Sequence, residues 1–278
     1  MAFVRIRDIN VYYEIHGSGP RLLFIGGTGG DLRQKPNVFE GSLAKAFTLL
    51  AYDQRGLGRT GVPEAAHTMA DYAEDANALL DAVGWETCHV MGVSFGGMVA
   101  QELAVRHPQR VSRMVLACTS SGGAGGASYP LHELASLDIG ERVTRVILLS
   151  DTRRDAEWQA SHATELEAIQ AQRLEVAQVG AGEEGRETGR TRQLEARRRH
   201  DTFDRLPALT MPVFLCGGKY DGIAPVDNQE ALERQIPNAH LEFFEGGHLF
   251  LLEDRRAFQR VIAFLLGEQD NENGQGDV

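Results

Sequence analysis

The strongest limit on how this 278-residue chain can fold is a repeated alternation of short apolar runs with helical patterns. Residues 3–7 and 10–15 read as a hairpin-like strand pair that ends in the turn His16-Gly17-Ser18-Gly19-Pro20. Six further runs follow, at 22–25, 49–52, 89–91, 114–118, 213–216 and 241–244. Each is mostly apolar throughout and bounded by Gly, Asp or Ser, as expected of parallel strands buried on both faces. Residues 68–83 carry apolar side chains at helical spacing, with Thr68 placed to cap the start and Gly84 the end. Residues 95–106, stopped by Pro108, and 226–235, closed by Pro237, read as two more helices. This order predicts an open α/β sheet with helices on both faces.

The alternation breaks once, between residues 119 and 206. No strand pattern occurs there. The stretch opens with Gly122-Gly123-Ala124-Gly125-Gly126-Ala127-Ser128, by composition a flexible joint, and continues as helical segments rich in Arg and Glu. An insertion of this length between two sheet strands is either a lid over a site or a surface decoration. The expected organisation is therefore a core domain in two parts, 1–118 and 207–266, an inserted helical segment at 119–206, and a disordered acidic tail at 267–278.

Composition narrows the function classes. The net charge of −11 argues against nucleic-acid and anionic-membrane partners, because both need a basic footprint. No apolar stretch approaches the ~20 residues of a membrane span, and the first residues lack the apolar core of a signal peptide. Cys88, Cys118 and Cys216 are too few for a disulfide framework and form no CxxC pair, so the expectations are a cytoplasmic location and no metal. Both a monomer and a homodimer are compatible with the sequence.

The chemistry-bearing segment is Cys88-His89-Val90-Met91-Gly92-Val93-Ser94-Phe95-Gly96-Gly97. A strand runs into Gly92-x-Ser94-x-Gly96 and a helix follows, the context in which a serine sits on a sharp turn with its Oγ exposed. The helix N-terminus beneath it favours developing negative charge. A serine hydroxyl is a poor nucleophile without a base, and that base needs an orienting acid. Asp221 follows the strand at 213–216, and His248 follows the one at 241–244. Both lie on the sheet edge where catalytic groups of such folds collect, in the chain order Ser, Asp, His. The loop Gly26-Gly27-Thr28-Gly29-Gly30 after the strand at 22–25 can present backbone N–H groups to an oxyanion. The amide of Phe95 is one candidate donor and that of Thr28 the other, with Gly27 as the register alternative.

Other conspicuous residues read as structural. His67, His107 and His162 fall on predicted surface segments. Arg197-Arg198-Arg199-His200 reads as a solvated helix face rather than a carboxylate site, and Met69, Trp85, Tyr129 and Trp158 as packing residues.

Taken together, the segments around Ser94, Asp221 and His248, with Tyr13-Glu14-Ile15-His16-Gly17-Ser18-Gly19 and Tyr52-Asp53-Gln54-Arg55-Gly56-Leu57-Gly58-Arg59-Thr60, resemble the α/β-hydrolase superfamily over residues 3–266. The likeness is greatest to its 3-oxoadipate enol-lactonase-like and small-carboxylesterase branch. The resemblance implies an α/β-hydrolase fold with a mostly parallel eight-stranded sheet and a helical lid after the sixth strand. It also implies a cofactor-free serine hydrolase acting on a small-molecule ester, lactone or related acyl compound. The same triad serves C–C bond hydrolysis, lyase chemistry, cofactor-free oxygenation and small-molecule receptors, and the sequence leaves these open. The Asp53-Gln54-Arg55-Gly56 turn reads as mainly structural, its Asp and Arg holding adjoining loops. A serine at position 94 argues against the dehalogenases and epoxide hydrolases of this fold, which attack with a carboxylate.

Overall fold

The computed structural model describes residues 2–268. Neighbouring residues on each central strand enter opposite cores, as the two-residue period of a strand dictates. Leu23, Leu50, Val90, Met114 and Val213 join the larger core, whereas Leu22, Leu49, Met91, Val115 and Phe214 join the smaller one. The sheet is therefore buried on both faces, which is why these runs are continuous in apolar residues rather than alternating.

The strands are β1 (Ala2–Ile6), β2 (Ile9–His16), β3 (Arg21–Ile25), β4 (Thr48–Tyr52), β5 (Cys88–Val93), β6 (Val111–Ala117), β7 (Val213–Gly218) and β8 (Ala239–Phe244). They form one eight-stranded sheet in the order β1-β2-β4-β3-β5-β6-β7-β8. β1–β2 and β2–β4 pair antiparallel, and every other pair is parallel. The helices are α1 (Leu43–Ala46), α2 (Met69–Ala82), α3 (Phe95–Arg106), α4 (Ile139–Ser150), α5 (Ala156–Ser161), α6 (Ala163–Gln178), α7 (Arg186–Arg198), α8 (Val226–Gln235), α9 (Phe250–Glu253) and α10 (Arg255–Leu266). Among the described residues none is long and apolar enough to cross a membrane.

Local chemistry explains the boundaries. Thr68 and Asp71 form a reciprocal capping box at the start of α2, and Gly84 takes the left-handed conformation just past its end. Gly267 closes α10 in the same conformation. The rest of the expected tail, 269–278, lies outside the described residues.

The segment between β6 and β7 holds α4–α7 and, among the described residues, no strand beyond an isolated bridge between Gly122 and Asp201. Its glycine-rich opening is a packed turn, not the flexible joint that composition suggests. A side chain on Gly122 would stand 1.9 Å from the His200 carbonyl, and Gly125 is buried against Ser121 and Phe203. Those glycines let the two ends of the insertion approach backbone to backbone.

Candidate active site

Ser94 sits between the end of β5 and the start of α3 with φ 55° and ψ −117°. That left-handed φ is costly for a serine and persists only where its surroundings over-determine it. The two flanking glycines supply the room. A Cβ at Gly92 would lie 2.3 Å from the Gly96 carbonyl oxygen, and one at Gly96 would lie 2.0 Å from that of Ile25. The turn is also held by hydrogen bonds. The Ser94 amide donates to the Ala117 carbonyl at 2.8 Å, and the Thr119 hydroxyl donates to the Ser94 carbonyl at 2.8 Å.

The three residues singled out in the sequence converge. Ser94 Oγ lies 3.0 Å from His248 Nε2, and His248 Nδ1 lies 2.7 Å from Asp221 Oδ2. The other Asp221 oxygen accepts from the amides of Ile223 and Ala224 at 2.8 and 2.9 Å, which fixes the carboxylate plane. The end of α4 braces both loops. The His248 amide donates to the Ser150 carbonyl at 2.6 Å, and the Gly222 amide to that of Leu149 at 3.1 Å. The inserted segment is thus part of what positions the Asp221 and His248 loops.

The glycine loop after β3 borders the same point. Gln193 of α7 accepts from the Gly29 amide at 2.8 Å, so that N–H is occupied. The amides of Phe95, Thr28 and Gly27 have no acceptor in the protein among the described residues. Thr28 borders the cavity described below, whereas Gly27 packs against the Ser94 side chain.

Cys118, which the sequence offers as a strand end and as one of three isolated cysteines, is a neighbour of the site. It follows β6 at φ 41°, is buried, and brings its thiol into one group with Asp221 and His248, ligand atoms all within 4.8 Å. Burial, reinforced by the Asp221 charge, pushes that thiol well above its ordinary range, so it stays neutral beside the carboxylate. Its left-handed φ is the local signal, and that is visible only in three dimensions.

The Asp53–Gly56 turn is a scaffold. Asp53 accepts from the amides of Leu32 and Arg59 at 2.7 and 2.9 Å. Burial pushes its pKa up to about 6. Arg55 makes a two-pronged contact with Asp75 at 2.6 and 2.7 Å, and both side chains are buried.

A cavity of about 740 Å³ opens between the sheet edge and α4, α6 and α7, and His248, Thr28 and Ile223 lie in its wall. Met69, Trp85, Tyr129 and Trp158 do not border it, in keeping with their reading as packing residues. Two readings of polar residues need correction. His67 is buried against the Tyr72 hydroxyl rather than on the surface. Of the 197–200 run, Arg197 and His200 are buried while Arg198 and Arg199 are exposed. Arg197 donates to the Tyr129 carbonyl and the Ser128 hydroxyl, both at 2.7 Å, and so ties the insertion together. Alternating charge gave no hint of this, because one helix turn faces both core and solvent.

Comparison with known proteins agrees with the topology. The chain is 28% identical over 277 residues to a putative carbamate hydrolase RutD of Azorhizobium caulinodans, covering 97% of this chain and all of the relative. It is 27% identical over 256 residues to a poly(3-hydroxyalkanoate) depolymerase of Ectopseudomonas oleovorans, covering 89% and 84% of the two chains. The crystal structure of the enol-lactonase from Burkholderia xenovorans superposes with a TM-score of 0.76 at 23% identity, over 96% of this chain and all of that one. The alpha/beta hydrolase fold model matches residues 20–255, and the chain belongs to that family.

Proposed function

We propose that the protein is a serine hydrolase that cleaves a carboxylic ester, lactone or related acyl compound through an acyl-enzyme on Ser94. The observation that carries this reading is the unbroken hydrogen-bonded series from Ser94 Oγ through His248 to Asp221, at the wall of a cavity. Ser94 Oγ attacks the carbonyl carbon while His248 Nε2 takes its proton. The tetrahedral oxyanion is held by the amides of Phe95 and Thr28. His248 then returns the proton to the leaving oxygen as the acyl–oxygen bond breaks. Water enters, gives its proton to His248 and attacks the acyl carbon; collapse releases the acid and reprotonates Ser94. Asp221 holds the imidazole with Nδ1–H toward itself and offsets the charge on the imidazolium. Helices α4–α7 act as the lid that covers the acyl group.

Relatives named for a carbamate and a poly(3-hydroxyalkanoate), and a structural neighbour named for an enol-lactone, support an acyl substrate. The test is a time course of p-nitrophenyl acetate and butyrate release, wild type beside Ser94→Ala, followed past one equivalent. Sustained turnover that the folded mutant loses is the expected result. Full activity in Ser94→Ala would overturn the nucleophile, and a single-equivalent burst would favour a receptor over an enzyme.

A further inference from the structure

The candidate oxyanion loop is anchored on both flanks by the turn after β4. Gln54 Nε2 donates to the Gly26 carbonyl at 2.8 Å, and Asp53 accepts from the Leu32 amide at 2.7 Å. The crest between those anchors is held from elsewhere. Among the described residues it has two hydrogen bonds to side chains. The Gly29 amide donates to Gln193 Oε1 at 2.8 Å, and Gln34 Nε2 donates to the Gly29 carbonyl at 3.5 Å, the outer limit of such a bond. Gln193 belongs to α7, so the shorter tie comes from the insertion and not from the sheet.

The shape of the crest depends on one peptide. The Gly30 amide donates to the Gly27 carbonyl at 3.2 Å, and Gly29 takes φ 71° while Thr28 stays outside the left-handed region. These are the marks of a type II turn over residues 27–30. A type I turn differs by a flip of the central peptide, here Thr28–Gly29, and glycine in the third place admits both. The N–H that Gln193 holds belongs to that peptide. A flip would turn the Thr28 carbonyl oxygen toward Gln193 Oε1, acceptor against acceptor, on the side where Gln193 and the cavity lie. It would also set the negative end of a dipole beside the place of a developing oxyanion.

Gln193 is fully buried, and the Gly29 contact is the only hydrogen bond of its side chain among the described residues. Its Nε2 is left without an acceptor. A leucine would fill a similar volume with no stranded donor, so the acceptor toward Gly29 is what the amide contributes. Helix α7 is a firm mount for it. A Cβ at Gly189 would lie 1.8 Å from the Gly56 carbonyl oxygen, so the helix meets the turn after β4 backbone to backbone, and Arg192 donates to the Glu64 carbonyl at 2.7 Å.

We infer that Gln193 is a positioning residue for acyl transfer: by holding the Gly29 N–H it fixes the 27–30 turn in the form that presents the Thr28 amide to the oxyanion. The inference rests on the reading of the protein as an acyl hydrolase, and it gives the insertion a part in the chemistry beyond covering the acyl group.

The experiment compares wild type with Gln193→Leu, which removes the acceptor, and Gln193→Glu, which keeps one. Steady-state kinetics with p-nitrophenyl butyrate run beside a fluorine NMR titration with 1,1,1-trifluoro-2-hexanone. Ser94 Oγ adds to the carbonyl carbon of that ketone, its proton passes to His248 Nε2, and the carbonyl electron pair becomes the oxyanion of a stable hemiketal. In Gln193→Leu, kcat is expected to fall about 10- to 100-fold with KM changed by less than about threefold, the scale of a misplaced oxyanion donor. Ketone affinity falls by a similar factor, and Gln193→Glu restores most of both. A merely structural role would lower the melting temperature and leave kcat of the folded protein and ketone affinity unchanged. That result overturns the inference and leaves the hydrolase reading standing. A loss confined to KM, or a loss of kcat that folded Gln193→Glu fails to restore, overturns it as well. Where Gln193→Leu does not fold, Gln193→Asn, too short to reach Gly29, replaces it. Where Gln193→Glu does not fold, the matched loss of kcat and ketone affinity in Gln193→Leu decides alone. Should wild type cleave no ester, the hydrolase reading fails and the titration decides. A ketone adduct absent from Ser94→Ala and weakened in Gln193→Leu supports the positioning role; no adduct, or equal affinity, sinks it.

Discussion

Asp221 and His248 are 27 residues apart in sequence and 2.7 Å apart in the fold, with the carboxylate pinned on its other side by two backbone amides. The amide pair leaves Asp221 no freedom to turn away, so the imidazole is held in one orientation toward Ser94.

That relationship predicts the phenotype of Asp221→Asn. The asparagine carbonyl keeps the Ile223 and Ala224 amides, which turns its NH₂ toward His248 Nδ1. The imidazole must then carry its proton on Nε2, where it can no longer accept one from Ser94. A fall in kcat of about 10⁴-fold with a nearly unchanged melting temperature is the expected result. Steady-state kinetics beside thermal denaturation decide it; a loss below tenfold would remove Asp221 from the mechanism.

Arg55 and Asp75 form the most deeply buried ion pair that ties the turn after β4 to α2, and Arg7 joins it at 2.8 Å. Removing one partner strands a charge in the core. Asp75→Leu is expected to cost about 3 kcal/mol or more, whereas Arg55→Met/Asp75→Leu, which removes both charges, costs less than the sum of Arg55→Met and Asp75→Leu made singly. Chemical denaturation of the four proteins gives the coupling, and strict additivity would contradict it.

Stability should fall on mild acidification. Burial, helped by Arg55 and Arg192, lowers the pKa of His67 to about 4, and burial does the same for His200. Both protonate near 6.5 once unfolded, so the unfolded chain binds more protons between pH 6.5 and 4. Their contribution is complete above about 6.5 and is lost as pH drops toward 4. Asp53 acts in the opposite sense: its pKa, pushed up to about 6 by burial, makes the folded state the better proton binder between 6 and 4. Two histidines against one aspartate leave a net loss on the order of 3 kcal/mol. Denaturation midpoints at pH 7 and 4.5 measure it, and His200→Gln should reduce the difference. A midpoint that rises toward pH 4.5 would refute the balance.

The residues of the candidate site, placed by their positions in a repeating pattern, are legible in the chain itself. Glycine spacing around Ser94 reports a backbone approach that no side chain survives, and loop positions after β7 and β8 report a sheet edge. Strand and helix periodicity reports which residues share a face, so the sheet, its buried strands and the three converging side chains could be read in order along the sequence. What a residue does across the fold could not. His67 on a loop and Arg197 within a charged helix are buried because distant segments close over them, and burial depends on what packs there rather than on local composition. Cys118 meets Asp221 and His248 only because β6 and β7 lie side by side. The cavity likewise exists only after α4, α6 and α7 fold over the sheet edge, and Gln193, in sequence one polar residue of a charged helix, meets Gly29 only then. Local periodicity determines secondary structure and the order of the site. Long-range packing alone decides which polar groups lose water and which of them meet.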